Sequence, residues 1–154
     1  MAVITGIVAS PKSAGRFTIE VDGRPAAAVA LDTIDRLGLS IGRPYDDVQA
    51  AVERDAAALH TFDRALTMLA FRARSQRELR RQLIRKGEPE EHVDAAIARL
   101  AANGLIDDAG FARQLARSRV LGPGHSRRRL QAELFKKGVE RSVADEAISE
   151  VLDD

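Results

Sequence analysis

Cysteine and tryptophan are both absent from this sequence of 154 residues, and aromatic residues make up only 4% of it. Without cysteine the chain has no disulfide, no thiolate metal ligand and no thiol nucleophile. With so few aromatic side chains, the hydrophobic core has to be built from Ala, Leu, Ile and Val, which favours packed helices. Hydrophobic residues at 45% and charged residues at 31% are the proportions of a folded protein.

Long apolar runs and a secretory signal are also missing. No stretch approaches the roughly 18 apolar residues that span a membrane, and the N-terminus lacks a basic segment followed by an apolar one. The histidines His60, His92 and His125 lie far apart, and none has a second ligand at helical spacing. We therefore expect a cytoplasmic protein that contacts no membrane and binds no metal.

Recognisable catalytic motifs are missing as well. The turn Gly122-Pro123-Gly124 is not followed by the Lys-Ser of a phosphate-binding loop, and no Ser stands in a motif with His and an acid. The pair Asp107-Asp108 could suit a metal or a general base, but its place after Gly104-Leu105-Ile106 favours a helix N-cap. We expect a protein without a cofactor that binds a partner and catalyses no reaction.

The first 45 residues predict a small β-rich subdomain. Strands are expected over residues 3–8, 17–21 and 26–30, because these are β-branched or alternate apolar with polar residues. Asp22-Gly23 suits a tight hairpin turn. A short helix over 31–37 would end at Gly38, and residues 46–61 predict a helical connection.

From residue 62 the pattern is helical, and it recurs with an offset of 51 residues. Ser75 matches Ser126, Leu79 matches Leu130, Leu83 matches Leu134, Lys86-Gly87 matches Lys137-Gly138, and Asp94, Ala96 and Ile97 match Asp145, Ala147 and Ile148. Because caps and core positions recur, we predict a mainly α fold with two tandem three-helix repeats, over 62–104 and 105–154. The helices are predicted over 62–73, 75–86 and 90–102, and over 108–120, 126–137 and 142–152.

Helix ends are marked by local signals. Ser75 followed by Glu78 predicts a capping box, in which Ser75 accepts a backbone N–H bond and Glu78 reaches back to the N-cap. Lys86 and Gly87 suit a helix C-terminus, where a basic residue meets the negative helix end and glycine adopts the left-handed conformation.

The charges alternate in large blocks, although the formal net charge is only +1. Residues 61–87 have 8 basic and 2 acidic side chains, whereas residues 88–112 have 1 and 6. Residues 113–138 then have 8 and 1, and residues 139–154 have 1 and 6. Blocks of this size indicate faces of opposite charge.

The basic residues in and around the second helix of each repeat are the candidate binding residues. Arg77, Arg81 and Arg85 are spaced by four, so they share one helix face. Carboxylates that could neutralise these residues are scarce in the same segments, which makes a merely solvated surface the less favoured interpretation. The candidates for contact with DNA or an acidic protein are Arg72, Arg74, Arg77, Arg80, Arg81, Arg85, Lys86, Arg127, Arg128, Arg129, Lys136 and Lys137.

The few aromatic residues of the repeats argue against base stacking. Phe71, Phe111 and Phe135 occupy helical positions that we expect to face the core. Proteins that bind single strands without sequence preference usually present exposed aromatic platforms. Stacking is therefore not expected to contribute to binding.

Several of these motifs resemble the RecX family of regulatory proteins. Arg72-Ala73-Arg74-Ser75, Glu78-Leu79, Leu83 and Lys86-Gly87 resemble its first repeat. Leu100, Gly104-Leu105-Ile106-Asp107-Asp108 and Phe111-Ala112 resemble the join between repeats, and Glu133-Leu134 with Lys137-Gly138-Val139 resembles the second repeat. The resemblance covers 62–152, and the strand-rich start is similar to the N-terminal extension of some members. The family usually has three such repeats, whereas two can be found here.

The resemblance implies a regulatory protein that is not an enzyme. It implies binding to RecA recombinase filaments on single-stranded DNA and modulation, chiefly inhibition, of RecA in recombination, repair and the SOS response. The implied partners are the RecA filament and single-stranded DNA, with double-stranded DNA as a further option, and we expect a monomer. The basic second helices would face DNA phosphate or acidic recombinase surface, and the acidic third helices would point away.

Two alternatives stay open. One is a helix-turn-helix-like module that binds DNA without a recombinase. The other is an adaptor that recognises an acidic protein and no nucleic acid.

Overall fold

The structure is a computed structural model that describes residues 1–123 and 125–153. Gly124 of the predicted turn and Asp154 at the end of the second predicted repeat lie outside the described residues. The chain divides into two compact units, of which the first ends at His60 and the second begins at Thr61. The described residues form seven helices and one three-stranded sheet, so the mainly α prediction is confirmed.

The first unit is built on an antiparallel sheet in the order β1-β2-β3, with β1 at Ile4–Ala9, β2 at Arg16–Val21 and β3 at Arg24–Ala30. The predicted turn lies between β2 and β3. Asp22 and Gly23 both adopt positive φ, at 51° and 81°, as a tight hairpin turn requires. Helix α1, at Leu31–Leu37, ends at Gly38 in the left-handed conformation, as predicted.

One long helix, α2 at Gln49–Phe71, covers most of the predicted connection and most of the predicted first helix of repeat 1. The two stretches are continuous because neither glycine nor proline interrupts them. Val52 belongs to the core of the first unit, whereas Phe62 and Ala65 belong to the core of repeat 1. The division of the second unit into two separately folded repeats stays a prediction.

The remaining helices agree with the predicted ones to within two residues. Repeat 1 continues with α3 at Gln76–Arg85 and α4 at Glu90–Ala102, and repeat 2 contains α5 at Asp108–Val120, α6 at Arg127–Lys136 and α7 at Arg141–Leu152. Each repeat has its own hydrophobic core. The paired leucines Leu79, Leu130, Leu83 and Leu134 are all fully buried, so the offset of 51 residues preserves the core.

The helix caps also recur. The Ser75 hydroxyl accepts a bond from the Glu78 N–H at 3.2 Å, and the Ser126 hydroxyl accepts one from the Arg129 N–H at 3.3 Å. Gly87 and Gly138 follow α3 and α6 with φ of 93° and 91°. These caps fix the start and end of the second helix of each repeat, and thereby the position of its basic residues.

Candidate functional site

The second helix of repeat 1 presents a basic face to solvent. Leu79 and Leu83 of α3 are buried in the repeat core, which turns Arg77, Arg81 and Arg85 outward, and all three are exposed. Residues four apart lie one above the other on a helix. The prediction that these arginines share a face is therefore confirmed.

Other candidate arginines use their charge within the protein. Arg72 forms a two-bond ion pair with Glu78, with distances of 2.9 and 3.1 Å. Arg80 reaches across to α4 and contacts Glu90 at 2.6 Å and Asp94 at 2.8 Å. Both arginines are thus paired with carboxylates of the same repeat. The expectation that local carboxylates are scarce is therefore wrong for Arg72 and Arg80.

Two further expectations are corrected by the same ion pairs. The Ser75 hydroxyl accepts the Glu78 N–H, as the capping box predicts. The Glu78 carboxylate, which was expected to bind the N-cap backbone, binds Arg72 instead. Glu90 and Asp94 of α4 are turned toward α3, not away from it. The hydrogen bond from Arg80 and its positive charge lower the pKa of the Asp94 carboxyl, although burial opposes the shift.

Repeat 2 contains a comparable internal pair. Arg127 contacts Asp153 at 3.5 Å and donates to the Ser149 hydroxyl at 3.1 Å. Arg127 therefore connects α6 to the C-terminal end of α7, and it is a structural residue as much as a candidate for binding.

Arg74 is half-buried, and its side chain donates three hydrogen bonds to neutral acceptors. Its Nε donates to the Gln82 side-chain oxygen at 2.7 Å, and its Nη1 donates to the carbonyls of Met68 and Arg72 near the end of α2. Burial, followed by the charge of Arg72, lowers the pKa of Arg74. Arg74 thus closes the C-terminus of α2 without a carboxylate partner in the described part of the chain.

The other candidates remain available to a partner. Besides Arg74, seven of the twelve form no ion pair within residues 1–123 and 125–153: Arg77, Arg81, Arg85, Lys86, Arg128, Lys136 and Lys137. Lys137 is half-buried and the other six are exposed, as is Arg129. Fewer basic residues are therefore available to a partner than the sequence suggested, and α3 presents the largest group of them.

The two repeats meet at the start of α3. The Ser75 hydroxyl donates to the Lys137 carbonyl while it caps α3, and the Asp108 carboxylate accepts a bond from the Gln76 N–H at 2.9 Å. A Cβ atom at Gly138 would lie 2.7 Å from the Arg77 Cβ. These contacts connect repeat 2 directly to the helix that presents the basic face.

The acidic pair has a structural role, but only partly the predicted one. Asp107 takes the expected N-cap position of α5, but its side chain forms no capping hydrogen bond within the described residues. Asp108 instead completes the N-terminus of α3 in the other repeat, by accepting the Gln76 N–H. Burial is the main cause that raises the pKa of the Asp108 carboxyl. Sequence spacing could not reveal this contact, because it joins residues from different repeats.

Two of the three phenylalanines are not in the core. Phe71 is 85% exposed and Phe135 is 74% exposed, whereas Phe111 packs against the core of repeat 2 as expected. Phe135 directly follows the buried Leu134, and Phe71 follows the Leu69-Ala70 stripe, so each lies just off the apolar face of its helix. Strict application of helical geometry would have revealed both, and the argument against base stacking does not hold for them.

Within the described ranges there is no group of three or more His, Asp or Glu side chains that could hold a metal ion. Among the same residues, no helix is both long and apolar enough to cross a membrane.

Comparison with known proteins assigns both repeats. Models of the first and the second three-helix domain of RecX match residues 62–100 and 107–148. The regulatory protein RecX of Mycobacterium ulcerans is 44% identical over 106 residues, which are 69% of this chain and 58% of that protein. That of Mycolicibacterium vanbaalenii is 44% identical over 84 residues, which are 54% of this chain and 46% of that protein. The chain spans about half the length of the curated relatives it matches.

Solved structures show the same fold. A crystal structure of regulatory protein RecX superposes with a TM-score of 0.81 at 27% identity, over 97% of this chain and 74% of that one. A second, RecX from Lactobacillus salivarius, has a TM-score of 0.60 at 22% identity and covers 63% of each chain, which shows similarity of fold. Since the two domain models together match more than half of the residues, the chain belongs to the RecX family of regulatory proteins.

Proposed function

We propose that this chain binds RecA recombinase filaments on single-stranded DNA and inhibits RecA, as a cytoplasmic monomer without catalytic activity of its own. The observation that supports the proposal best is the exposed face of α3, where Arg77, Arg81 and Arg85 form no ion pair with any described residue. Family membership supplies the expected partner, and the exposed cations supply a physical means of binding it.

Such a face suits both surfaces that a RecA filament on DNA offers. Arginine binds phosphate in a two-bond geometry, and each phosphate contact releases condensed counterions and makes the affinity depend on salt. The same arginines complement acidic protein surface, where charge mainly raises the rate and the specificity of association. A tandem array of helical repeats offers the extended surface that a filament groove requires.

The test reverses the three charges together. The variant Arg77→Glu/Arg81→Glu/Arg85→Glu should lose inhibition of RecA ATPase on single-stranded DNA, because a repulsive surface replaces the attractive one. The side chains are exposed and unpaired, so the fold should persist, which far-UV circular dichroism checks.

A matched control keeps the overall change in charge. Lys12, Arg24 and Arg54 are exposed and lie in the first unit, so Lys12→Glu/Arg24→Glu/Arg54→Glu produces the same net charge without altering α3. We expect this control to inhibit RecA as the unmodified chain does. Inhibition that survives the reversal on α3, or that is lost equally in both variants, would contradict the proposal.

A further inference from the structure

Repeat 1 contains a shallow groove at the junction of α2 with the end of α3. Its apolar part consists of Met68 and the exposed ring of Phe71, and its rim consists of Arg74, Arg85 and Lys86. None of the side chains that line it is acidic. Proteins bind single-stranded nucleic acids with this combination of an exposed aromatic ring and several cations: a base stacks on the ring, and the cations bind the phosphate.

The corresponding place in repeat 2 is built differently. There Arg119 and Glu133 occupy the positions of Met68 and Gln82, and they form an ion pair at 2.8 Å. That pair replaces the apolar floor and neutralises the local charge. In repeat 1 the neutral Gln82 accepts a bond from Arg74 at 2.7 Å and leaves the positive charge in place.

Phe135 offers a useful contrast. It is also exposed, and its groove includes Arg77 and Arg141, but Glu140 and Asp145 line the same groove. Carboxylates at this place would repel a phosphate. The combination of an exposed ring, several cations and no acid is therefore specific to the groove of repeat 1 among the described grooves that contain an exposed Phe.

We propose that the Phe71 groove is a nucleotide subsite for single-stranded DNA, in which a base stacks on Phe71 and the adjoining phosphate binds Arg85 and Lys86. Arg74 adds positive potential at the rim, which the helix carbonyls that it binds offset only in part. The biological meaning of the subsite rests on the proposed function, since it would hold the DNA strand that the protein meets in the filament.

The test compares a fluorescent oligothymidylate with an oligonucleotide of equal length that has abasic residues. Phe71→Leu keeps an apolar side chain but removes the ring, so it should weaken binding of the intact oligonucleotide by about 5- to 140-fold, the range for one stacked base. Binding of the abasic oligonucleotide should not change. Phe135→Leu is the matched control and should bind both oligonucleotides as the unmodified chain does.

A second variant tests the charge of the groove. Gln82→Glu introduces the acid of repeat 2 next to Arg74, so it should weaken both oligonucleotides and reduce the slope of log affinity against log salt by about 0.7, as for one phosphate contact on a single strand. Gln114→Glu, at an exposed position in α5, adds the same charge elsewhere and should have little effect.

Several outcomes would overturn the subsite. The first is equal affinity of the unmodified chain for intact and abasic strands. The second is an equal loss of DNA affinity in Phe71→Leu and Phe135→Leu. The third is a Phe71→Leu variant that binds DNA normally but no longer binds RecA in the absence of DNA. The last would indicate an acidic protein as the occupant. RecA ATPase measured in parallel separates the two proposals: inhibition without base-dependent binding refutes only the subsite, and base-dependent binding without inhibition refutes only the proposed function.

Discussion

Gly138, at the contact between the two repeats, has a counterpart in Gly87 that makes a direct test of this contact possible. Both glycines follow the second helix of a repeat, with φ of 91° and 93°. A Cβ at Gly87 would meet no atom within 4 Å, whereas one at Gly138 would lie 2.7 Å from the Arg77 Cβ and 3.1 Å from the Ser75 hydroxyl oxygen. The same substitution therefore gives the same backbone strain at both positions and a steric conflict at only one.

The expected costs differ accordingly. Alanine in the left-handed region costs about 1–2 kcal/mol, so Gly87→Ala should lower the free energy of unfolding by that amount. Gly138→Ala should lose about 1–3 kcal/mol more, because carbon atoms in contact prefer about 3.5–4.0 Å and a well-packed site resists an added methyl group. Denaturant unfolding of the full chain, followed by far-UV circular dichroism, measures both.

A double-mutant cycle assigns the difference to one pair. Arg77→Gly removes the Cβ that a new side chain at Gly138 would meet, so Arg77→Gly and Gly138→Ala should show a favourable coupling energy of about 1–3 kcal/mol. Arg77→Gly and Gly87→Ala should be additive. Equal destabilisation by the two alanines, or no coupling in the first cycle, would refute the contact between the repeats.

Two further predictions concern carboxylates of repeat 2. Asp108→Ala should reduce the free energy of unfolding by about 1 kcal/mol, because the Gln76 N–H at the start of α3 loses its acceptor, whereas Asp108→Asn keeps an acceptor and should cost less in the same denaturant assay. Glu133 is hydrogen-bonded to Arg119, which lowers its pKa from an ordinary value of 4.5, so the pair should stabilise the fold above that pH and lose this effect as the pH falls through the lowered pKa. Glu133→Gln should be less stable at neutral pH and should lose part of the decline in stability below pH 4.5, and an unchanged acid profile would contradict the assignment.

The helices of the repeats could be predicted from the sequence because their signals are local and occur twice. Ser75 and Ser126 mark the starts of α3 and α6, Gly87 marks an end, and the buried leucines recur at the same offset. When capping, glycine placement and apolar periodicity agree, the position of a helix follows from them. The β-hairpin at Asp22-Gly23 was predictable for the same reason.

The candidate site was less predictable, because the fate of each charge depends on tertiary contacts. Nothing in the spacing of Arg80 reveals that Glu90 and Asp94 meet it from the next helix. Nor does the sequence around Asp108 reveal that its carboxylate caps a helix of the other repeat. The exposure of Phe71 was within reach of sequence reasoning, since it depends only on the angle that separates neighbouring residues on a helix.

The proposed function requires that the chain bind RecA filaments on single-stranded DNA through the basic face of α3. Co-sedimentation of the full chain with preassembled RecA filaments tests it most directly, with Arg77→Glu/Arg81→Glu/Arg85→Glu and Lys12→Glu/Arg24→Glu/Arg54→Glu measured beside it. The unmodified chain and the control should sediment with the filaments, whereas the variant of α3 should stay in the supernatant. The opposite result, in which the unmodified chain stays in the supernatant or the variant of α3 sediments as fully as the control, would contradict it.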